Sequence, residues 1–128
     1  MSSEFRFEDG VGGTIVDGWR AIFGRQRAFA EHAIEQLDLE GFFWTPGEGL
    51  NSVAVIVQHL AGNMLSRWDR FLTEDGEKSG RDRDAEFASP EETEASRSAL
   101  LDAWSEGWAV LDGALAGLTD ADLGRTVT

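Results

Sequence analysis

The residues of this chain that are best suited to chemistry are two histidines and several carboxylates. His59 follows an apolar stretch, and histidine serves both as an acid–base group near neutral pH and as a metal ligand. His32 lies earlier in the chain, where we expect an exposed or half-exposed position on the side of a helix. The chain contains no cysteine, which excludes thiolate metal ligands, disulfides and a cysteine nucleophile.

His59 has two interpretations. It is either a partly buried histidine that hydrogen-bonds a neighbouring carboxylate or carbonyl, or it is a metal ligand. A catalytic zinc or nickel site needs about three protein ligands, and Glu31, Glu35 or Asp112 are carboxylates that could substitute for missing ones. A chain this rich in carboxylates places many of them by chance, so these carboxylates alone do not predict a metal site, and the two interpretations of His59 stay open at this point. The sequence identifies no catalytic or cofactor-binding residue.

A helix must present His59, and the apolar residues around it predict one from Asn51 to Glu74. These residues recur at spacings of three and four, the pattern of a buried helical stripe. They are Val53, Ile56, Val57, Leu60, Met64, Trp68, Phe71 and Leu72. Ser52 is a good start signal, as is Asn51. His59 lies beside the stripe, about 60° from Ile56 on a helical wheel, so we expect it to face a polar corner between helices.

Two further helices are predicted, from Thr14 to Leu39 and from Pro90 to Leu118, by the same apolar spacing. Gly41 is a plausible stop for the first of them. Residues 42–50 combine aromatic side chains with proline and two glycines, which predicts a connecting loop. No segment shows the sustained alternation of a strand, so the predicted fold class is all-α with three long helices.

Local capping signals mark two starts in the second half of the chain. Residues 89–92 (SPEE) combine an N-cap, a proline at the first helical position and a glutamate at the capping-box position, which predicts the start of the third helix. Residues 119–122 (TDAD) predict another capping box that begins a short turn. The last four residues are too few to build a helix of their own.

Four of the five tryptophans fall on the predicted core faces. These four are Trp19, Trp68, Trp104 and Trp108, while Trp44 lies in the connecting loop. Large side chains that fill a bundle centre explain the four better than a ligand cage does.

Residues 77–88 carry dense charge of both signs, which is typical of a solvated loop with weak local ion pairs. We favour a loop that folds back onto the bundle, with Phe87 as a buried anchor. The predicted ion-pair partners are Arg67, Asp69 and Arg70 with Asp75, Glu77 and Asp84. The glycines at 76–79 and 10–13 lack the spacing or the preceding strand of a phosphate loop, so neither predicts nucleotide binding.

Charge and length restrict the classes of partner. The 128 residues suit one domain, 1–128, and carry 24 acidic against 11 basic side chains, a formal charge of −13. Phosphate backbones and anionic membranes would repel such a chain, so we expect neither nucleic acid nor a membrane as a partner. The N-terminus lacks the pattern of a signal peptide, and the longest apolar run, Val53–Val57, is too short to span a bilayer. A bacterial-type cytoplasmic protein is expected.

The segment from Asn51 to Phe87, NSVAVIVQHLAGNMLSRWDRFLTEDGEKSGRDRDAEF, resembles the DinB-like superfamily. It is similar to a bacterial branch that reads NSxAVIVxHLAGNMxSRWxxFLTxDGEKxxRxRDxEF. The resemblance implies an up-down-down-up four-helix bundle and a divalent metal, zinc or nickel, held by three histidines. One of them matches His59, and the other two form an HxxxH pair in the fourth helix. This chain contains no HxxxH and ends at Thr128, about where that helix would begin.

The resemblance leaves two function classes open. Characterised relatives include thiol-dependent transferases and isomerases, which implies descent from metal-dependent thiol S-transferases and a small-molecule thiol as partner. The alternative is a non-catalytic helical scaffold or small-molecule-binding bundle without bound metal. Whether the chain is an enzyme is left undecided, and we expect no tightly bound metal in the chain as written.

A bundle of three helices built for four would leave an apolar groove open. Either a second chain fills this groove, or the three helices close on themselves, or the chain is a fragment. We favour a C-terminally incomplete domain whose fourth helix is missing or supplied by another chain, and a homo-oligomer, most simply a dimer. The residues expected to be partly buried by another copy are Trp104, Trp108, Leu111 and Leu115.

Overall fold

The computed structural model describes residues 11–72, 86 and 88–124, without the side chains of 11–14, 120 and 121. Over these residues the chain is all-α and contains no strand, which confirms the predicted fold class. The helices are α1 (Val11–Glu35), α2 (Leu39–Phe43), α3 (Val53–Trp68) and α4 (Glu94–Ala116), followed by a 3₁₀ helix (Asp120–Gly124). None of the described helices is long and apolar enough to cross a membrane.

The first helix differs from its prediction at both ends. α1 begins at Val11, before the predicted start at Thr14, and ends at Glu35, before the predicted end at Leu39. A tight turn closes it, in which the Leu37 amide donates to the Ile34 carbonyl at 3.0 Å.

The short helix α2 was missed in the sequence, which was predicted to form a loop there. The Asp38 carboxylate accepts a hydrogen bond from the Gly41 amide at 2.7 Å and so caps α2. Gly41 therefore lies inside a helix and does not end one. Phe42 and Phe43 of α2 are buried and close one end of the core.

α3 begins where it was predicted to and ends earlier. The Ser52 hydroxyl accepts from the Val55 amide at 3.1 Å, so the predicted start signal is the N-cap. The helix ends at Trp68 and not at Glu74, because Asp69 is extended and Arg70 adopts a left-handed φ of 52°. Helical hydrogen bonding cannot continue through that backbone.

α4 begins later than predicted. The N-cap is Thr93, whose hydroxyl accepts from the Ser96 amide at 3.0 Å, so the predicted start at Ser89 and Pro90 is wrong. Ser89 and Thr93 are both residues that favour an N-cap, and they lie close together. The helix begins after Thr93, which directly precedes the uninterrupted apolar spacing. The other predicted capping box is confirmed in one of its two bonds, since Asp122 accepts from the amide of Thr119 at 3.1 Å, and also from its hydroxyl at 3.0 Å. The Asp122 amide donates to the backbone carbonyl of Thr119 and not to its side chain.

The long helices run up, down and down. α1 and α4 are antiparallel, because Arg20 pairs with Asp112 whereas Glu31, further along α1, contacts Trp104, earlier in α4. α3 and α4 are parallel neighbours and share the most extensive helix contact in the described chain. Parallel neighbours of this length, about 1.5 Å per residue, need a connection that runs back along the bundle. The chain between them is described at residues 69–72, 86 and 88–93.

Small residues bring α3 and α4 close together. A Cβ at Gly107 would lie 3.1 Å from two atoms of Met64 and 3.4 Å from the Ala61 carbonyl. The buried side chains of this core are Val16, Phe42, Phe43, Ala54, Val57, Met64, Trp104, Leu111 and Leu115. Trp104, Leu111 and Leu115 are thus covered by their own chain, so the prediction that another copy covers them is wrong.

Exposed apolar side chains lie on both α1 and α3. On α3, Ile56 and Leu60 are exposed, so their predicted places in the buried stripe are wrong. Trp19 is 42% exposed, so its predicted place in the core is wrong, because α1 packs on α4 along one edge and leaves its outer face uncovered. Trp104 is buried, and Trp68 and Trp108 pack half-buried against the core. The outer face of α1 carries Ile15, Trp19, Ile22 and Phe29. Trp44, the expected exception, is exposed.

Candidate functional site

His59 projects from the middle of α3 towards Glu86, where the connection from α3 to α4 returns to the helix. The His59 Nδ1 atom lies 3.0 Å from Glu86 Oε1. When Glu86 is ionised its carboxylate can only accept a hydrogen bond, and Nδ1–H of His59 is then the donor. The His59 side chain is 24% exposed and that of Glu86 is 11% exposed. His59 therefore faces a polar group, but this group belongs to the connecting segment and not to the predicted corner between helices. It has the carboxylate partner of its simpler interpretation.

Gln58 holds the backbone of the same segment. Its Nε2 donates to the Glu86 carbonyl at 2.8 Å and to the Ala88 carbonyl at 3.0 Å, which uses both amide hydrogens. Because Gln58 and His59 are adjacent on α3, the helix fixes both the main chain and the side chain of Glu86. At these residues the charged segment lies against the bundle, as the favoured interpretation predicted.

Gly62 makes room for the Glu86 carboxylate. A Cβ added at Gly62 would lie 2.5 Å from Glu86 Oε2 and 2.7 Å from Cδ, closer than real side-chain contacts allow. Sequence reasoning missed both residues of this contact. The only local signal was a glycine inside a helix, one turn after His59, which often marks a close approach of another group.

The carboxylates considered as substitute metal ligands have other partners. Glu31 accepts from Arg27 Nε at 2.9 Å and from Trp104 Nε1 at 3.0 Å. Partial burial raises the pKa of Glu31, but these hydrogen bonds outweigh it and the pKa lies below its usual value. Asp112 accepts two hydrogen bonds from Arg20, at 2.8 and 3.0 Å. These hydrogen bonds are the main reason that the pKa of Asp112 lies below its usual value.

The remaining predicted residues lie apart from His59. Glu35 is exposed near the end of α1, and His32 is exposed on the same helix, as expected. Arg70 pairs with its neighbour Asp69 at 3.5 Å. The predicted partners Asp75, Glu77 and Asp84, the anchor Phe87 and the glycines at 76–79 lie outside the described residues.

The donor set at His59 does not match the three-histidine metal site that the resemblance implies. His59 and Glu86 supply one imidazole and one carboxylate, and these two bond to each other. Within the described part of the chain, no group of three or more His, Cys, Asp or Glu side chains could hold a metal ion. A catalytic zinc site needs about three protein ligands, so the described residues do not fit a resident metal at His59.

Two described clefts lie at the opposite end of the bundle from α2, on either side of Phe71 and Leu72. One cleft, of about 510 Å³, lies between the end of α3 and small residues of α4 such as Gly113. The other, of about 430 Å³, lies between α1, the end of α3, the end of α4 and the 3₁₀ helix. We call the second one the aromatic cleft. Its lining residues are Trp19, Phe23, Trp68, Phe71, Leu72, Leu115, Leu118, Asp122 and Leu123.

Comparison with models of protein families assigns the chain to a known family. Residues 11–128 match the family described as protein of unknown function (DUF1572). The chain therefore belongs to that family, which is grouped in the DinB/YfiT-like clan. Comparison with curated proteins gave no match, and comparison with solved structures gave none either.

Proposed function

We propose that this chain is a small-molecule-binding helical bundle and that its ligand occupies the aromatic cleft. The observation that supports this function is the cleft itself. Its volume of about 430 Å³ falls within the range of about 300–1,000 Å³ that is usual for small-molecule sites. Rings from α1 and from the end of α3 line it together with leucines of α4. Such concave, mostly apolar sites with few polar groups are typical of ligand pockets.

Ligand binding without a resident metal also agrees with the chemistry around His59. The His59 imidazole and the Glu86 carboxylate hold the returning segment against α3, together with Gln58. The position that the resemblance matches to a metal ligand thus serves here to fasten the connection between parallel helices. Descent from metal-dependent thiol S-transferases would explain why a histidine stands at this position.

The test of ligand binding uses one aromatic probe and two matched tryptophan variants. Benzyl alcohol is titrated while the indole resonances of the wild-type chain are followed by NMR, with Trp19 and Trp68 expected to shift together. Trp19→Leu removes one cleft wall at an exposed position and should weaken binding several-fold. Trp44→Leu removes an exposed tryptophan away from the cleft and should leave binding unchanged. Equal effects of the two variants, or no shift at millimolar probe, would refute the proposal.

The metal hypothesis has its own test. Elemental analysis after dialysis is carried out on the wild-type chain and on His59→Ala, both purified without added metal. We expect little zinc or nickel in either protein. The variant should lose a modest amount of stability because the hydrogen bond between residue 59 and the Glu86 carboxylate is lost. Near-stoichiometric metal that disappears in the variant would restore the thiol-transferase interpretation, and a low-molecular-weight thiol would then be the first substrate to assay.

A further inference from the structure

The aromatic cleft is lined by rings from two separate segments of the chain. Trp19 and Phe23 lie about one turn apart on α1 and so project from one face of that helix. Trp68 is the last residue of α3, and Phe71 follows soon after it. Four of the nine described lining residues are aromatic, against 10% of the whole chain, so rings are concentrated around this space. A ligand that pairs with rings would gain most from such a lining.

The rings of the cleft are not stacked face to face on one another. Trp68 and Phe71 lie 5.2 Å apart between centroids and are inclined by 55°. Phe23 meets Trp108 in an edge-to-face arrangement at 6.3 Å, and Trp19 is exposed. Aromatic rings attract each other in offset-stacked and edge-to-face arrangements. A planar ring that enters the cleft can therefore form such pairs with more than one of the lining rings.

Burial of the lining residues changes across the cleft and so defines a floor and an opening. Leu115 is only 2% exposed and forms the floor, whereas Trp19 and Leu123 are 42% and 41% exposed and border the opening. A polar group at the floor would lose its water, at a cost in free energy. The apolar part of a ligand therefore belongs at the floor and a polar substituent at the opening. The Asp122 carboxylate already accepts two bonds from Thr119, and no contact with the ligand is assigned to it.

We propose that the ligand of this cleft is a planar aromatic molecule of one or two rings. Its ring lies on Leu115 and pairs with the rings of Trp19 and Trp68, and its polar substituent points out between Trp19 and Leu123. The volume of about 430 Å³ suits this size, because it lies near the lower end of the range for small-molecule sites. The inference rests on the proposed function, since it names the chemical class and the orientation of the small molecule that the cleft binds.

The experiment compares two uncharged probes that have the same carbon skeleton. Benzyl alcohol and cyclohexylmethanol are titrated into the wild-type chain, and binding is followed by NMR through the indole resonances of Trp19 and Trp68. The saturated ring is the more apolar of the two, so burial alone would favour cyclohexylmethanol. Pairing between rings adds to burial, so we expect benzyl alcohol to bind at least about threefold more tightly.

The orientation of the bound probe is tested in the same samples by intermolecular NOEs. The ring protons of benzyl alcohol should give NOEs to the methyl groups of Leu115, and its methylene protons should give NOEs to Leu123. The reverse pattern, with the methylene protons at Leu115, would contradict the inferred orientation.

Two substitutions of Trp19 separate ring pairing from side-chain bulk. Trp19→Leu keeps an apolar side chain without a ring, so the preference for benzyl alcohol should fall by about twofold or more. Trp19→Phe keeps a ring and should retain most of that preference. Trp44→Leu, away from the cleft, should bind both probes as the wild type does. A preference that Trp19→Phe loses as fully as Trp19→Leu would overturn ring pairing at this position.

The outcomes of the probe comparison separate the two proposals. Cyclohexylmethanol that binds the wild-type chain as tightly as benzyl alcohol, or more tightly, overturns the aromatic inference and leaves ligand binding in place. This comparison needs no variant, so it stands even if a substituted chain does not fold. If neither probe shifts the Trp19 or Trp68 resonances, both the inference and the proposed function fail.

Discussion

The carboxylate of Glu86 occupies the space that a side chain at Gly62 would fill. One oxygen of that carboxylate bonds His59, and the other lies over Gly62, one turn further along α3. The pair shows why a glycine, which weakens a helix, stands in the interior of α3. Any larger residue there must displace Glu86, and with it the hydrogen bond to His59.

Gly62→Ala is therefore expected to destabilise the fold. Alanine would gain up to about 1 kcal/mol of helix propensity, but overpacking against Glu86 costs about 1–3 kcal/mol, so a net loss follows. Gly24→Ala is the matched control, because a Cβ there meets nothing within 4 Å and should be stabilising. Urea unfolding gives both values, and the His59 imidazole resonance reports the lost bond. A stabilised Gly62→Ala protein would show that Glu86 moves aside freely.

Two neighbouring tryptophans on α4 should respond differently to truncation. Trp104 Nε1 donates to Glu31 at 3.0 Å, whereas Trp108 Nε1 is buried and has no hydrogen-bond partner among the described residues. Trp104→Phe leaves Glu31 without that donor, at a cost of about 1–3 kcal/mol in addition to the lost contacts. Trp108→Phe removes an unsatisfied group and should cost less. Urea unfolding of the two variants tests this prediction, and Trp104→Phe should have the lower unfolding midpoint. A larger loss of stability in Trp108→Phe would contradict the prediction.

Stability should fall in acid partly through Glu31. The pKa of this carboxyl is lower in the folded than in the unfolded chain, so its contribution is present above the unfolded pKa of about 4.3. That contribution disappears as the pH falls through the folded pKa. Glu31→Gln cannot titrate, so its unfolding free energy should change less between about pH 5 and pH 3 than that of the wild type. Parallel pH profiles for the two proteins would rule this out.

The prediction of a homodimer now involves a different surface. The exposed face of α1 carries Ile15, Ile22 and Phe29 at intervals of seven residues, the spacing of a helix–helix seam, so we expect a second copy to pack along this line. Ile22→Glu should shift the mass from light scattering towards the monomer. Leu50→Glu, also at an exposed apolar position but outside α1, should leave the mass unchanged. A monomeric wild type at micromolar concentration would contradict the prediction.

Features set by neighbours along the chain could be predicted from the sequence. The cap at Ser52 and the Asp122 bond to the Thr119 amide depend on residues within a few positions of each other, and both were confirmed. The apolar stripe of α3 was confirmed only in part, because Val57 and Met64 are buried whereas Ile56 and Leu60 are exposed. Where two local signals competed, as between Ser89 and Thr93, the sequence alone did not decide between them.

Features set by distant residues could not be predicted. Glu86 lies 27 positions from His59, and nothing in its own neighbourhood marks it as the partner. Trp19 has the spacing of a core residue, but its exposure depends on how many helices pack around α1. The aromatic cleft likewise appears only when α1, α3 and the 3₁₀ helix are placed together.

The parallel arrangement of α3 and α4 also constrains how the chain folds. These helices share the main core contact but cannot form a local hairpin, so residues 69–93 must close into a loop before Met64 reaches Gly107. Loop closure of this kind lowers entropy before contacts compensate for it, which makes the docking of α4 on α3 the expected rate-limiting event. Met64→Ala should accordingly slow refolding in a stopped-flow experiment more than it speeds unfolding.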